Sequence, residues 1–77
     1  MKAILTQHER AVLYTVMLEG DDDSAEQSHD VGELYGLLAR LRYENNSLAA
    51  AARVSARCRI LGARIQGRTN LRAGEAA

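Results

Sequence analysis

Residues 31–65 decide the fold, and they read VGELYGLLARLRYENNSLAAAARVSARCRILGARI, without proline. Apolar side chains recur along this stretch, mostly three or four positions apart, at Val31, Leu34, Leu38, Leu41, Leu48, Val54, Cys58, Leu61 and Ile65. This spacing is typical of a helix that buries one side. It predicts a helical core in which Leu38 and Leu41 are enclosed.

The polar triplet Asn45-Asn46-Ser47 leaves two arrangements open. The helix could end there, because these side chains compete for backbone groups, and a second helix would then begin at Ser47. Alternatively, one long helix continues through, with Asn45 at a core position that sets register and oligomer state. The alanine run over residues 49–52 favours the continuous helix, because alanine propagates helix well. The sequence therefore predicts an all-α fold, either a helical hairpin with a long second helix or a small three-helix bundle.

A first helix is predicted over residues 7–19. Thr6 and Glu9 have the spacing of a capping box, in which each side chain accepts from the other residue's backbone amide. Gly20 stands where a left-handed C-terminal cap is expected.

The secondary structure of the remaining segments is predicted from their polarity and periodicity. An acidic connection is predicted over residues 20–29, and the long or broken helix over about residues 30–66. Asp30 is the favoured N-cap, with an earlier turn from Ser24 as the alternative. Residues 69–77 lack periodicity and are predicted to form a mobile tail.

The length of the chain, 77 residues, indicates a single small domain. Such a domain buries only about 60–65% of the surface that its unfolded chain exposes, so it usually needs extra support. Cys58 is the only cysteine, and with His8 and His29 it gives no metal-ligand pattern, so neither a disulfide nor a metal or other cofactor is expected. We therefore expect a homo-oligomer.

Charge is segregated along the chain although the formal net charge is zero. Residues 19–33 hold acidic and no basic side chains, whereas residues 45–74 hold arginines and no acidic side chains. This asymmetry indicates self-complementary association or a charged partner. Tyrosines are also frequent in interfaces. The candidate partner-binding residues are Asp21, Asp22, Asp23, Glu26, Arg53, Arg57, Arg64, Arg68, Tyr35 and Tyr43.

Four of these residues, Arg53, Arg57, Arg64 and Arg68, form an arginine stripe along the last helix. Arginine pairs well with phosphate, so nucleic-acid binding is one interpretation of the stripe. The neutral total charge and the absence of aromatic residues between the arginines disfavour it. The other interpretation is that the stripe is solvated, or that it pairs with acidic residues of the same or a neighbouring chain.

No catalytic motif, glycine-rich phosphate loop or transmembrane run occurs in the sequence. We therefore expect a non-enzymatic helical protein-interaction module, such as a small regulator or inhibitor that binds another protein. Small charge-segregated helical proteins of this type are common in phages and mobile elements. A nucleic-acid-binding protein is the alternative. The N-terminus does not have the features of a secretory signal, which predicts a cytoplasmic location without membrane partners.

Overall fold

The protein forms a bundle of three helices in a computed structural model, which describes residues 4–20 and 23–76. The helices are α1 (Gln7–Glu19), α2 (Ala25–Tyr43) and α3 (Leu48–Ala76), and the described residues contain no strand. The predicted all-α fold is confirmed, in its three-helix form.

Helix α1 has the predicted bounds because its ends are specified locally. The Thr6 hydroxyl accepts from the Glu9 amide at 3.1 Å, and the Glu9 carboxylate accepts from the Thr6 amide at 3.1 Å, so the capping box is confirmed. Gly20 ends the helix, but its φ of −73° and ψ of 115° are extended, so the predicted left-handed cap is wrong. A Cβ at Gly20 would lie 2.6 Å from Gln27 Nε2 and 3.2 Å from Ile65 Cγ2, which explains the glycine by close packing.

Helix α2 begins earlier than the predicted start near Asp30. Ser24 is the N-cap, and its hydroxyl accepts from the Gln27 amide at 3.1 Å. Asp30 lies one turn inside the helix, where it is buried and bonds Arg68 instead of capping. The acidic connection is therefore shorter than the predicted residues 20–29.

The chain breaks at residues 45–47, so the favoured continuous helix is wrong. Asn46 Nδ2 donates to the carbonyl oxygens of Arg40 at 3.0 Å and Glu44 at 3.1 Å, which satisfies the end of α2. The Ser47 hydroxyl accepts from the Ala50 amide at 3.2 Å, which starts α3. The alanine run therefore opens α3 and does not bridge the two helices.

Helix α3 continues to Ala76, so the predicted mobile tail over residues 69–77 is helical as far as the structure describes it. Gln66 Nε2 donates to Asn70 Oδ1 at 3.0 Å, and the Thr69 hydroxyl donates to the Ile65 carbonyl at 3.1 Å. Residues 70–75 are exposed, which means that the last turns gain little from packing. A helix of this length measures about 43 Å, against about 20 Å for α1.

The core lies along α3, which packs against both other helices. It contains most of the predicted apolar residues of α2 and α3 together with two leucines from the N-terminal part, namely Leu5, Leu13, Leu34, Leu38, Val54, Cys58, Leu61 and Ile65. Leu48 is 74% exposed at the start of α3, so its predicted place on the buried side is wrong. Leu38 is 1% exposed, as predicted, whereas Leu41 is only partly buried at the edge of the core. Gly62 lets α1 approach α3, because a Cβ there would overlap Leu13 Cδ2.

The side-chain cap that starts α3, after the break at residues 45–47, leads to a first prediction. Replacing Ser47 by alanine should lower the free energy of unfolding by about 1 kcal/mol, since the Ala50 amide loses its side-chain acceptor. Asn45→Ala is the matched control, because Asn45 is exposed and the described contacts give its side chain no hydrogen bond. Urea unfolding followed by circular dichroism measures both. Equal effects would mean that the Ser47 cap does not stabilise α3.

Candidate interaction surfaces

The arginine stripe faces helix α2 over most of its length. Arg57 makes two bonds to Glu33, from Nε to Oε2 at 2.7 Å and from Nη2 to Oε1 at 3.0 Å. Arg68 donates to Asp30 Oδ2 at 2.7 Å and to Gln27 Oε1 at 2.8 Å. The structure thus pairs these arginines with carboxylates of the same chain.

The other two arginines of the stripe differ from each other. Arg64 Nη1 lies 3.8 Å from Asp30 Oδ1, so Asp30 lies between two guanidinium groups. Arg53 is exposed and makes no ion pair with any described residue. The stripe is therefore largely compensated inside the fold.

Among the described acidic residues that were predicted to meet the stripe, none makes an ion pair with it, although Glu26 lines the same surface depression as Arg64 and Arg68. Asp23 and Glu26 are exposed at the start of α2, while Asp21 and Asp22 lie outside the described residues. The carboxylates that meet the stripe are Asp30 and Glu33, which are not among the predicted partner-binding residues. Both lie on the α2 face that turns toward α3, and their helical spacing with buried Leu34 is the signal that was available.

A further ion pair joins α1 to the opposite side of α3. Arg59 Nε donates to Glu9 Oε2 at 3.0 Å, and its Nη2 donates to Glu9 Oε1 at 3.3 Å. Glu9 therefore takes part in both the capping box and this ion pair. The two residues are 50 positions apart, so no local pattern could have predicted the pair.

These ion pairs shift the acidity of two carboxyl groups. The hydrogen bond from Arg59, together with that from the Thr6 backbone, lowers the pKa of Glu9 below its ordinary value of 4.5. The hydrogen bond from Arg57 likewise lowers the pKa of Glu33. Both groups are therefore held as carboxylates in the fold.

The lowered pKa values predict acid sensitivity. A carboxyl group with a lower pKa in the folded state stabilises the fold above its ordinary value, and this contribution is lost as the pH falls through the folded-state value. Stability should therefore decline as the pH drops below about 4.5. The Glu9→Gln/Glu33→Gln variant should show a shallower decline in a pH series of urea midpoints, and Glu75→Gln, at an exposed site, is the control. An unchanged slope in the double variant would contradict the assignment.

Cys58 is a core residue, as predicted. Its side chain is fully buried, and burial raises the pKa of its thiol to about 11. The thiol is therefore protonated at neutral pH, and a protonated thiol is a poor nucleophile.

This burial predicts slow chemical labelling of Cys58. In the folded protein at pH 8, a thiol reagent should label Cys58 only as fast as the protein opens. In the urea-unfolded protein, the reagent should label Cys58 at once. Rapid labelling of the folded protein would place Cys58 at the surface.

The outer face of α3 lies opposite the core and carries no charged side chain. It is formed by residues three or four positions apart, which are mostly small, and we call it the α3 outer face: Ala49, Ala52, Ala56, Ile60, Ala63 and Gly67. All are exposed except Ala52, which is half-buried, and Ile60 is 49% exposed. Beside this face, Arg57, Arg64 and Arg68 turn toward α2 and Arg59 turns toward α1, whereas Arg53 is exposed at its edge.

The two tyrosines predicted at an interface are exposed on α2. The ring of Tyr35 meets that of Tyr14 edge to face, with centroids 6.5 Å apart. The guanidinium of Arg42 lies 5.4 Å from the centroid of the Tyr43 ring. No described contact joins either tyrosine to the arginine stripe, so these contacts do not connect the predicted partner-binding residues into one surface.

Comparison with family models, with curated proteins and with solved structures gives no match for this chain. Among the described residues, no group of three histidine, cysteine or acidic side chains is placed to hold a metal ion. No helix formed by those residues is long and apolar enough to cross a membrane.

Proposed function

We propose that the protein is a helical protein-interaction module that associates with itself through the α3 outer face. The observation that carries this proposal is the lack of charge on that face in a helix whose neighbouring arginines pair with Glu33, Asp30 and Glu9. A solvent-facing side of a surface helix ordinarily carries charged residues. Small residues also let a second helix approach closely, and Ile60 supplies apolar area at the middle of the face.

The small size of the domain supports the same proposal. The described core is a single aliphatic cluster, so packing within one chain leaves a thin stability margin. Covering Ile60 and its neighbours with a second copy would add buried apolar area at about 25 cal/mol per Å². Action as a small regulator or inhibitor of another protein would use the same kind of helix-on-helix contact.

Nucleic-acid binding is the weaker candidate. A guanidinium that already makes two hydrogen bonds to a carboxylate must break them before it can bind a phosphate, and this applies to Arg57. Arg53 alone of the stripe is exposed without an ion pair to a described residue. A single arginine gives little of the counterion release on which duplex binding depends.

Paired charge substitutions on one helix test the proposal. Ala56→Glu/Ala63→Glu puts two carboxylates on the α3 outer face and should weaken self-association at least tenfold in sedimentation velocity. Ala73→Glu is the matched control, since Ala73 is exposed on the same helix but points away from that face. Equal association constants for the double variant and the control would overturn the use of this face. Binding of a labelled duplex at near-physiological salt, lost in Arg53→Glu, would favour the nucleic-acid alternative.

A further inference from the structure

An open cleft lies between α1 and α2 at the end of the molecule where α1 starts and α2 finishes. Its volume is about 470 Å³, its floor includes Tyr14, Leu38 and Leu41, and its rim carries Arg10 and Arg42. The cleft therefore offers an apolar surface flanked by two positive charges.

The two rim arginines differ from those of the arginine stripe. Neither Arg10 nor Arg42 has an ion pair with any described residue, and the guanidinium of Arg42 lies over the face of the Tyr43 ring. Arg10 lies in the first turns of α1, where the positive end of the helix dipole disfavours a cation. An anionic partner would offset both the dipole and the mutual repulsion of the two guanidinium groups.

The opposite end of the molecule has the complementary chemistry. Glu19, Asp23 and Glu26 are exposed where α1 ends and α2 begins. Glu19 is the last residue of α1, where the negative end of the dipole disfavours an acid, and that last turn contains no basic residue. Leu18, beside it, is 86% exposed and is the most exposed large apolar side chain described. The acidic end therefore presents a leucine among carboxylates, and the cleft presents an apolar floor among arginines.

The two ends are too far apart to meet within one molecule. From Glu26 to Arg42 along α2 the helix rises about 24 Å. Both lie on the same straight helix, so no local motion brings them together. A pairing between these ends must therefore join two copies.

We propose that the Arg10/Arg42 cleft binds the acidic end of a second copy, with Leu18 over Tyr14 and Leu41 and the carboxylates of Glu19, Asp23 and Glu26 at the arginines. The contact is heterologous, because the cleft of one copy meets a different surface of the next, and such contacts produce rings or open chains. It extends the self-association proposed above to residues that are not on the α3 outer face.

Mixing two complementary variants tests the cleft separately from the α3 outer face. One variant, Arg10→Glu/Arg42→Glu, keeps the acidic end and loses the cleft. The other, Asp23→Lys/Glu26→Lys, keeps the cleft and loses the acidic end. For each variant alone, the association constant of this contact should be at least tenfold lower than that of the wild type. Sedimentation velocity at hundreds of micromolar protein measures it. An equimolar mixture should regain association, because the intact acidic end of one variant fits the intact cleft of the other, and the reversed charges of the other two surfaces are again opposite in sign.

The controls identify which surface fails. Both variants retain the α3 outer face, so association through that face is the same in separate and mixed solutions. Arg53→Glu changes an exposed charge that belongs to neither the cleft nor the acidic end and should leave the contact unchanged. Circular dichroism verifies that each variant is folded. A mixture that sediments as the sum of its separate components would overturn the proposal. The binding partner of the cleft would then be an acidic segment of another protein.

Discussion

Replacing Leu38 by alanine is expected to unfold most of the protein at room temperature. Leu38 is 1% exposed in the centre of the core, and removing a leucine side chain from such a site costs about 2–5 kcal/mol. A single core in a domain this small provides only about 3–5 kcal/mol of net stability. The expected loss in the free energy of unfolding is therefore as large as the whole net stability of the domain.

Leu41→Ala is the matched control for this change. Leu41 lies one turn further along α2 but is only partly buried at the edge of the core, where it also lines the cleft. Its truncation removes less contact and leaves no enclosed cavity, so the effect should be less than half as large. Thermal and urea unfolding followed by circular dichroism measure both variants. A similar small shift for the two would mean that Leu38 is not enclosed.

Replacing Gly62 by valine is expected to detach α1 from α3. A Cβ at Gly62 overlaps Leu13 Cδ2, and Leu13 is itself buried, so the leucine must leave its position or the helices must separate. Overpacking of this kind costs about 1–3 kcal/mol. The weakened docking of α1 would also strain the Glu9–Arg59 ion pair, which joins the same two helices.

Gly32→Val makes the same substitution at an open site on α2, away from the α3 outer face. A Cβ at Gly32 would meet nothing within 4 Å, and valine has a somewhat higher helix propensity than glycine. The control should therefore be neutral or slightly stabilising, by a few tenths of a kcal/mol. Urea midpoints that fall by the same amount in both variants would show that the close approach of α1 at Gly62 does not limit stability.

Local signals in the sequence predicted α1 and the core well. The capping box at Thr6 and the three-and-four spacing of Leu34, Leu38, Leu61 and Ile65 depend only on near neighbours, and both are confirmed. The break at residues 45–47 was misjudged because helix propensity differs by only a few tenths of a kcal/mol per residue. Folding α2 back on α3 buries four large aliphatic side chains, and the polar triplet caps both helices, so together these effects outweigh the propensity of the alanine run.

The partners of the arginines could not be predicted from spacing. Arg57 and Glu33 are 24 positions apart, and Arg59 and Glu9 are 50 apart, so the pairs exist only after three helices have packed in one arrangement. The charge segregation in the sequence left acidic partners in the same or a neighbouring chain as one of several interpretations of the arginines. It pointed to the acidic run after α1, whereas the carboxylates that pair are those on the inner side of α2.

The molecular mass in solution tests the central claim, self-association, most directly. Size-exclusion chromatography with light scattering should be run on the wild type from a few to several hundred micromolar. We expect a mass that rises with concentration to at least twice the chain mass of 8.4 kDa. A constant mass of 8.4 kDa over that whole range would contradict self-association through either surface.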